Sequence, residues 1–278
     1  MKQLKYLTLL VCSLGFAQIQ TPQASPISKI QQTVGLTEVT IEYSRPAMRG
    51  RTIMGDLVPY GKLWRAGANK NTITKFSDDV IVGGKSISAG DYALFIRPGE
   101  TLWEVFFYTK TNNSGLPKKW ETSAIAAVVE VAPNTTENTS ESFTISIDNL
   151  NNNGATLSIK WENTHVSISF EVPTNEKTMA SIKETMKGTP KAGDYYSAAI
   201  YYKETGRNLK QSKSWIAKAI SMDDGKYWMY RQQSLILAGL MEKNAAIEAA
   251  KISLKLAEEA GNNDYIRLNT KSIEEWSK

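Results

Sequence analysis

The amino-acid sequence predicts an α+β protein of several domains, in which an antiparallel, jelly-roll-like β-sandwich is followed by a domain of α-helical hairpins. Alternating apolar and polar residues, typical of strands, recur along the chain before Pro173. After Pro173 the apolar residues follow helical spacing instead. Hydrophobic residues make up 41% and charged residues 22% of the 278 residues, the composition of a folded globular protein.

The N-terminal segment predicts an export signal. Lys2 and Lys5 precede an apolar run over residues 6–16, and small residues at positions 15 and 17 suit cleavage before Gln18. The apolar run is too short to cross a bilayer as a stable helix, and no later segment approaches that length. We therefore expect a signal peptide over residues 1–17 and no transmembrane segment.

The predicted cleavage sets the expected compartment, which is periplasmic or extracellular. Residues 18–26 are polar and contain two prolines, so we expect a linker there. A lipoprotein anchored at Cys12 is an alternative, which Val11 disfavours because a small residue is needed at that position. Cys12 is the single cysteine, so the mature chain would contain neither a disulfide nor a reactive thiol.

Residues 27–173 are expected to form the β-sandwich. Short runs of strand residues separated by turn signals, about nine in all, are typical of a sandwich or barrel. The last two runs flank Glu162, Asn163 and Thr164, and this spacing predicts a hairpin. The expected strands are 39–43, 72–76, 80–82, 91–96, 103–108, 125–131, 143–147, 157–161 and 166–172.

Residues 176–278 are expected to form tetratricopeptide-like helical hairpins. Gly206 and Gly239 lie 33 residues apart, and each precedes a short turn and an alanine-rich helix. Such a period is typical of helical repeats, which stack because one hairpin cannot bury its apolar face alone. Two hairpins and a closing helix at residues 264–276 are predicted, and we expect this domain to bind a protein partner.

The residue types present exclude several kinds of site. His165 is the single histidine, so a Cys–His pair and a Cys/His zinc site cannot form in the mature chain. No G-x-S-x-G motif accompanies His165, which we interpret as an exposed turn residue rather than part of a catalytic triad. We predict no cofactor and no metal. Lys and Arg form no run of five, and nucleic-acid binding is not expected despite a net charge of +5.

Residues 43–76 combine many cations with residues that interrupt regular structure. Seven Lys and Arg accompany a single acid, Asp56, among several glycines and prolines. Long irregular segments in compact domains are often functional. Convergent guanidinium groups suit a carboxylate, phosphate or sulfate, and interleaved aromatic rings suit a sugar. The candidate ligand-binding residues are Arg45, Arg49, Arg51, Tyr60, Trp64, Arg65 and Asn69.

Three interpretations of this stretch are open. In the first, an exported, non-enzymatic protein binds an anionic small molecule or glycan through the candidate residues. In the second, the protein is a hydrolase or lyase that acts on an anionic envelope glycan, with Asp56 or Asp91 as the general base. In the third, the arginines are structural, because each pairs with a buried acid or with loop carbonyls, and the protein is a scaffold.

Three blocks of sequence resemble a known family. They are R-P-x-x-R-G-R from Arg45, G-x-L-V-P-Y-G-x-x-W-R-x-G-A-N from Gly55, and A-G-x-Y-x-L-F from Ala89. Residues 25–172 are similar to DUF2911, an exported bacterial domain of unknown function typical of Bacteroidetes. The resemblance implies an exported domain and assigns no activity, cofactor or catalytic residue. The family pattern falls on Arg45, Pro46, Arg49, Gly50, Arg51, Gly55, Pro59, Tyr60, Gly61, Trp64, Arg65, Gly67, Asn69, Gly90 and Tyr92.

Overall fold

The computed structural model describes residues 21–278, which divide into two compact units between Thr174 and Asn175. The first unit consists of antiparallel β-strands and the second of α-helices, so the predicted α+β class is confirmed. The predicted signal peptide, residues 1–17 with Cys12, lies outside the described residues, as do residues 18–20 of the predicted linker. None of the helices in the described part is long and apolar enough to cross a membrane.

Ten strands form two antiparallel sheets in the described part of the first unit. They are β1 (Ile27–Val34), β2 (Thr37–Ser44), β3 (Thr72–Phe76), β4 (Val80–Val82), β5 (Lys85–Ile87), β6 (Gly90–Arg97), β7 (Trp103–Tyr108), β8 (Ile125–Val131), β9 (Asn134–Asn151) and β10 (Gly154–Glu171). The larger sheet has the order β1-β2-β3-β6-β7-β8, and the smaller has the order β5-β4-β10-β9. The larger sheet is therefore a meander, and the chain leaves it after β3 to form β4 and β5 of the smaller sheet before it returns as β6.

The two sheets share one hydrophobic core, which makes the unit a sandwich. Phe76 of β3 packs against Phe170 of β10 with ring centroids 5.9 Å apart. Tyr43 of β2 packs against Phe143 of β9 at 5.7 Å. The buried Tyr43 hydroxyl also donates to the carbonyl of Ile145 at 3.1 Å and accepts from its N–H at 2.9 Å. A hydrogen-bonded tyrosine thus fixes β2 against β9 inside the core.

Strand β10 reverses its direction near Glu162, which has a left-handed φ of 54°. The N–H of Val172 donates to the carbonyl of Asn153 at 2.9 Å. A Cβ atom added to Gly154 would lie 2.3 Å from the carbonyl oxygen of Phe170. The two ends of β10 therefore lie side by side, and the hairpin predicted from the sequence is confirmed.

The second unit consists of successive helices. They are α1 (Thr174–Thr185), α2 (Ala192–Glu204), α3 (Leu209–Met222), α4 (Tyr227–Gly239), α5 (Lys243–Glu259) and α6 (Asn263–Ser277). Helix α2 packs on α3, α4 on α5 and α5 on α6. Asn208 and Asn262 cap α3 and α6, because each side chain accepts a hydrogen bond from a backbone N–H of the first turn. The closing helix is confirmed, whereas the tetratricopeptide-like identity stays a prediction.

Candidate functional site

The basic loop, defined as residues 45–71, connects β2 to β3 and is fixed to both sheets. Near its start, Met48 N–H donates to the carbonyl of Glu141 at 2.8 Å, and Phe143 N–H donates to that of Pro46 at 2.9 Å. Near its end, Trp64 and Ile96 exchange backbone hydrogen bonds of 2.7 and 2.8 Å. The loop therefore joins β9 of the smaller sheet to β6 of the larger sheet.

Two acids hold the loop through its backbone. One carboxylate oxygen of Glu162 accepts the N–H groups of Ile53 and Met54, each at 3.2 Å. The carboxylate of Glu141 accepts the N–H of Arg49 at 2.9 Å. These acids are therefore engaged by amides and do not form ion pairs with the arginines of the loop.

Arg45 and Arg51 each place two guanidinium N–H groups on acceptors within the protein. Arg45 donates from Nε to the carbonyl of Phe143 at 3.1 Å and from Nη2 to the hydroxyl of Thr144 at 2.7 Å. Arg51 donates to the carbonyls of Met48 and Ala47 at 2.8 and 2.7 Å. Arg45 is half-buried and Arg51 is exposed. The structural interpretation of the sequence describes Arg45 well, whereas the exposed Arg51 keeps further N–H donors for a ligand.

Arg49 and Asn69 hold the N-terminal strap, defined as residues 23–26. Arg49 Nη2 donates to the carbonyl of Ala24 at 3.1 Å. Asn69 Nδ2 lies 3.3 Å from both the carbonyl of Ser25 and the hydroxyl of Ser44. Both residues have left-handed backbones, with φ of 52° and 59°.

The aromatic candidates have different roles. Trp64 stacks on Trp161 with ring centroids 5.8 Å apart and meets the edge of Phe143 at 5.1 Å. Tyr60 is 39% exposed, and its ring covers Gly55, where an added Cβ atom would lie 2.9 Å from it. Trp64 thus belongs to the aromatic end of the core, whereas Tyr60 lies on the surface.

Arg65 differs from the other arginines of the loop. Its side chain is half-buried and forms no hydrogen bond or ion pair within residues 21–278. The Nε atom is buried and has no hydrogen-bond partner. A buried donor without an acceptor costs about 1–3 kcal/mol, and an acceptor bound at Nε would offset this cost.

A cavity of about 380 Å³ brings part of the predicted site together. Arg49, Arg51, Trp64 and Arg65 line it, and we call it the arginine cavity. No Asp or Glu is among the residues that line it. Of the other candidates, Arg45, Tyr60 and Asn69 do not line it.

Trp161 and the N-terminal strap also line the arginine cavity, and sequence reasoning missed both. Trp161 follows the alternation of a strand, and this pattern predicts a core residue. The prediction is correct, because Trp161 is only 2% exposed. The strap reads as a linker because it is polar and proline-containing. Neither pattern indicates that a distant loop folds against these residues.

The acids expected for catalysis lie elsewhere. Asp91 pairs with Lys75 at 3.4 Å, with both side chains exposed, and Asp56 is also exposed. Neither residue lines the arginine cavity. The described residues contain no group of three or more His, Cys, Asp and Glu side chains that could hold a metal ion.

His165 is not the exposed turn residue that we expected. It lies within β10, is half-buried, and places Nε2 3.0 Å from the hydroxyl of Ser167. Desolvation lowers the pKa of His165, and Lys160 lowers this pKa further while Asp148 opposes the shift. The reversal of β10 near Glu162 explains the error. The half of β10 that follows the reversal, which contains His165, lies beside the half that precedes it, so His165 is half-buried.

The comparisons with known proteins agree with the resemblance in the sequence. Residues 25–170 match the family model described as "Protein of unknown function (DUF2911)", which is more than half of the chain and includes every candidate residue. Neither the comparison with curated proteins nor the comparison with solved structures finds a match. The chain therefore belongs to the DUF2911 family.

Proposed function

We propose that this protein is an exported, non-enzymatic binding protein that holds an anionic sugar in the arginine cavity. The observation that supports this most strongly is the lining itself. Arg49, Arg51 and Arg65 meet there, and none of the three forms an ion pair with an acid among residues 21–278. The cavity therefore has a surplus of positive charge that a ligand can neutralise.

The geometry favours an oxyanion as the ligand. Guanidinium groups present planar sets of donors that match carboxylate, sulfate and phosphate oxygens. Arg49 and Arg51 are already oriented by their hydrogen bonds to loop and strap carbonyls. A site that is arranged before the ligand arrives loses less conformational entropy on binding.

The aromatic residues favour a sugar over a bare inorganic anion. The half-buried Trp64 contributes apolar surface to the same cavity that the arginines make basic, and the buried Trp161 stacks behind it. A sugar acid has both an apolar ring face and a carboxylate, so it matches both kinds of surface. The volume of about 380 Å³ lies in the ordinary range for small-molecule sites.

Calorimetric titration of the mature chain, residues 18–278, tests this proposal. Galacturonate is the probe, galactose is its neutral counterpart, and sulfate and phosphate test a bare anion. We expect galacturonate to bind and Arg65→Ala to weaken it about ten-fold or more, which corresponds to about 1.4 kcal/mol. Arg97→Ala is the matched control, because Arg97 pairs with Glu104 at 2.7 Å and does not line the cavity.

Three results would reject the proposal in whole or in part. Equal binding of galactose and galacturonate would show that the cavity does not select charge. Equal losses in Arg65→Ala and Arg97→Ala would show that the effect of Arg65 is not local. Binding of sulfate or phosphate with the same affinity as galacturonate would reject the sugar and leave a simple anion site.

No acid lines the arginine cavity, so the hydrolase or lyase hypothesis lacks a general base there. It requires turnover of an acidic glycan, measured as new reducing ends, that is lost in Asp56→Ala or Asp91→Ala.

The protein partner of the helical unit stays a prediction, which rests on the use of stacked helical hairpins as interaction scaffolds. Export also stays a prediction, and N-terminal sequencing of the mature protein should find Gln18 first.

A further inference from the structure

A second cavity, of about 410 Å³, adjoins the arginine cavity. Ala24 and Ser25 of the N-terminal strap line both, so the strap separates them. The second cavity also has Asn69 and Asn71 in its lining, and we call it the amide cavity. Its polar groups are mostly amides and hydroxyls, with one charge of each sign from Glu42 and Lys70, whereas those of the arginine cavity are mostly guanidinium groups.

Asn71 has a buried acceptor without a donor. Its side chain is 5% exposed, and Nδ2 donates to Oδ1 of Asn113 at 2.8 Å. Asn113 in turn donates from Nδ2 to the carbonyl of Gly115 at 3.0 Å, which fixes the orientation of both amides. The Oδ1 atom of Asn71 therefore cannot exchange places with its nitrogen, and it has no partner in the described part of the chain.

This acceptor requires a group with a proton to donate. A carboxylate, sulfate or fully ionised phosphate has none, whereas a sugar hydroxyl has one. The two cavities therefore differ in the chemistry that they can bind, because one supplies donors to an anion and the other supplies an acceptor to a hydroxyl. A molecule that carries both groups is complementary to both cavities.

The strap is the wall that the two cavities share. Its residues are exposed except for Ser25, which is half-buried. Its hydrogen bonds to the basic loop are those of Ala24 to Arg49, of Ser25 to Asn69, and of Pro26 to the N–H of Arg45 at 2.9 Å. Asn71 Oδ1 is buried, so a ligand reaches it only if the lining of the amide cavity rearranges. The strap is an exposed part of that lining that few hydrogen bonds hold to the loop, and such segments open at low cost.

We infer that the two cavities are subsites of one site for an acidic oligosaccharide of at least two sugar units. A carboxylate of one unit lies against the arginines, a hydroxyl of the next unit donates to Asn71 Oδ1, and the strap shifts to let the chain pass. A single sugar occupies one cavity and gains nothing from the other. This inference rests on the proposed function, which assigns the arginine cavity to a sugar carboxylate.

The test is calorimetric titration of residues 18–278 with galacturonic acid and with its 1,4-linked dimer and trimer. We expect the dimer and trimer to bind at least about ten-fold more tightly than the monomer, because only a ligand of two or more units can place a carboxylate in one cavity and a hydroxyl in the other at the same time. In Asn71→Ala this gain should disappear while the affinity for the monomer is unchanged. Asn163→Ala is the matched control, because it also removes a side-chain amide that donates a hydrogen bond, to the carbonyl of Thr136 at 2.9 Å, and Asn163 lines neither cavity.

The outcomes separate the inference from the proposed function. If the monomer binds through Arg65 and the longer chains bind no more tightly, the amide cavity is not a subsite and the inference is wrong. If Asn163→Ala removes the gain as fully as Asn71→Ala, the effect of Asn71 is not local and the inference is again wrong. If neither the monomer nor the longer chains bind, the proposed function itself fails.

Discussion

The two ends of the basic loop use arginine in opposite ways. Near β2, Arg45 is half-buried and donates to Phe143 and Thr144 of β9. Near β3, Arg65 is also half-buried but has no partner within the described residues, and its Nε is buried without an acceptor. The same residue type in one loop thus supports the fold at one end and has unused binding capacity at the other. Because both residues are half-buried, their hydrogen-bond partners distinguish Arg45, a structural arginine, from Arg65, a candidate ligand-binding one.

The largest expected difference is in the stability of the two alanine variants. Arg45→Ala should lower the free energy of unfolding by about 2 kcal/mol, because a half-buried guanidinium loses two hydrogen bonds. Arg65→Ala should leave it unchanged or raise it slightly, because it removes an unsatisfied buried donor. Chemical denaturation followed by tryptophan fluorescence measures both. Equal destabilisation by the two variants would remove the distinction between the loop ends.

Arg51→Ala sharpens this contrast as a matched control for Arg45→Ala. This substitution also removes two hydrogen bonds of a guanidinium group, both to backbone carbonyls, but from an exposed side chain. We expect a loss below about 1 kcal/mol, since water replaces these bonds. A loss as large as that of Arg45→Ala would mean that burial does not set the size of the effect.

Substitution of the two acids that hold the basic loop should lower the unfolding free energy less than Arg45→Ala does. Glu162→Gln keeps an acceptor for Ile53 and Met54 but removes the negative charge that strengthens both bonds. We expect a loss of about 1 kcal/mol in unfolding free energy, and a smaller loss for Glu141→Gln, whose side chain accepts one N–H. Urea denaturation of the two variants checks the order, and a reversed order contradicts it.

The pH dependence should separate the fold from the site. The pKa of His165 is lowered from 6.5 by burial, so protonation favours the unfolded state. The stability that this shift contributes is present above the unfolded pKa of 6.5 and is lost as the pH falls below it. His165→Gln should flatten stability between pH 7 and 5. Galacturonate affinity should stay constant across this range, because arginine keeps its charge, and a parallel decline in affinity would contradict the assignment of the site.

The smallest effect is expected from Asn69→Gly. Glycine tolerates the φ of 59° at this position and removes the side-chain hydrogen bond to the strap. The unfolding free energy should change by less than about 0.5 kcal/mol. Asn149→Gly is the control, because Asn149 also has a left-handed φ, of 52°, and lies outside both cavities. A greater loss at position 69 would mean that the strap is an integral part of the fold.

Much of the architecture could be predicted because strands and helices have local periodicities. The strands that escaped prediction show why this has limits. Strand β1 lies at an edge and has only one buried residue, Val34, so its sequence carries little apolar alternation. Strand β5 has three residues and only one buried side chain, Ile87. Patterns weaken where a strand buries little, which is a property of its place in the sheet.

The site could be predicted as a region but not as an arrangement. Clustered arginines and aromatic residues indicated the basic loop, and four of the seven candidates line the cavity. The partners that occupy Arg45 lie on β9, 98 and 99 positions away, so no local pattern could show that this residue is satisfied. The same holds for Trp161, which reaches the cavity from β10. Convergence of this kind is set by sheet pairing, which a single sequence leaves unspecified.

The most direct test of the central claim is the unfolding free energy of wild type and Arg65→Ala, each with and without saturating galacturonate. At about 100 times its dissociation constant, a ligand should add about 2.7 kcal/mol to wild type. We predict this gain for wild type, about half of it or less for Arg65→Ala at the same galacturonate concentration, and equal stability of the two proteins without ligand. A marked loss of stability in Arg65→Ala without ligand, together with an undiminished gain on adding galacturonate, would show that Arg65 supports the fold and does not bind the sugar.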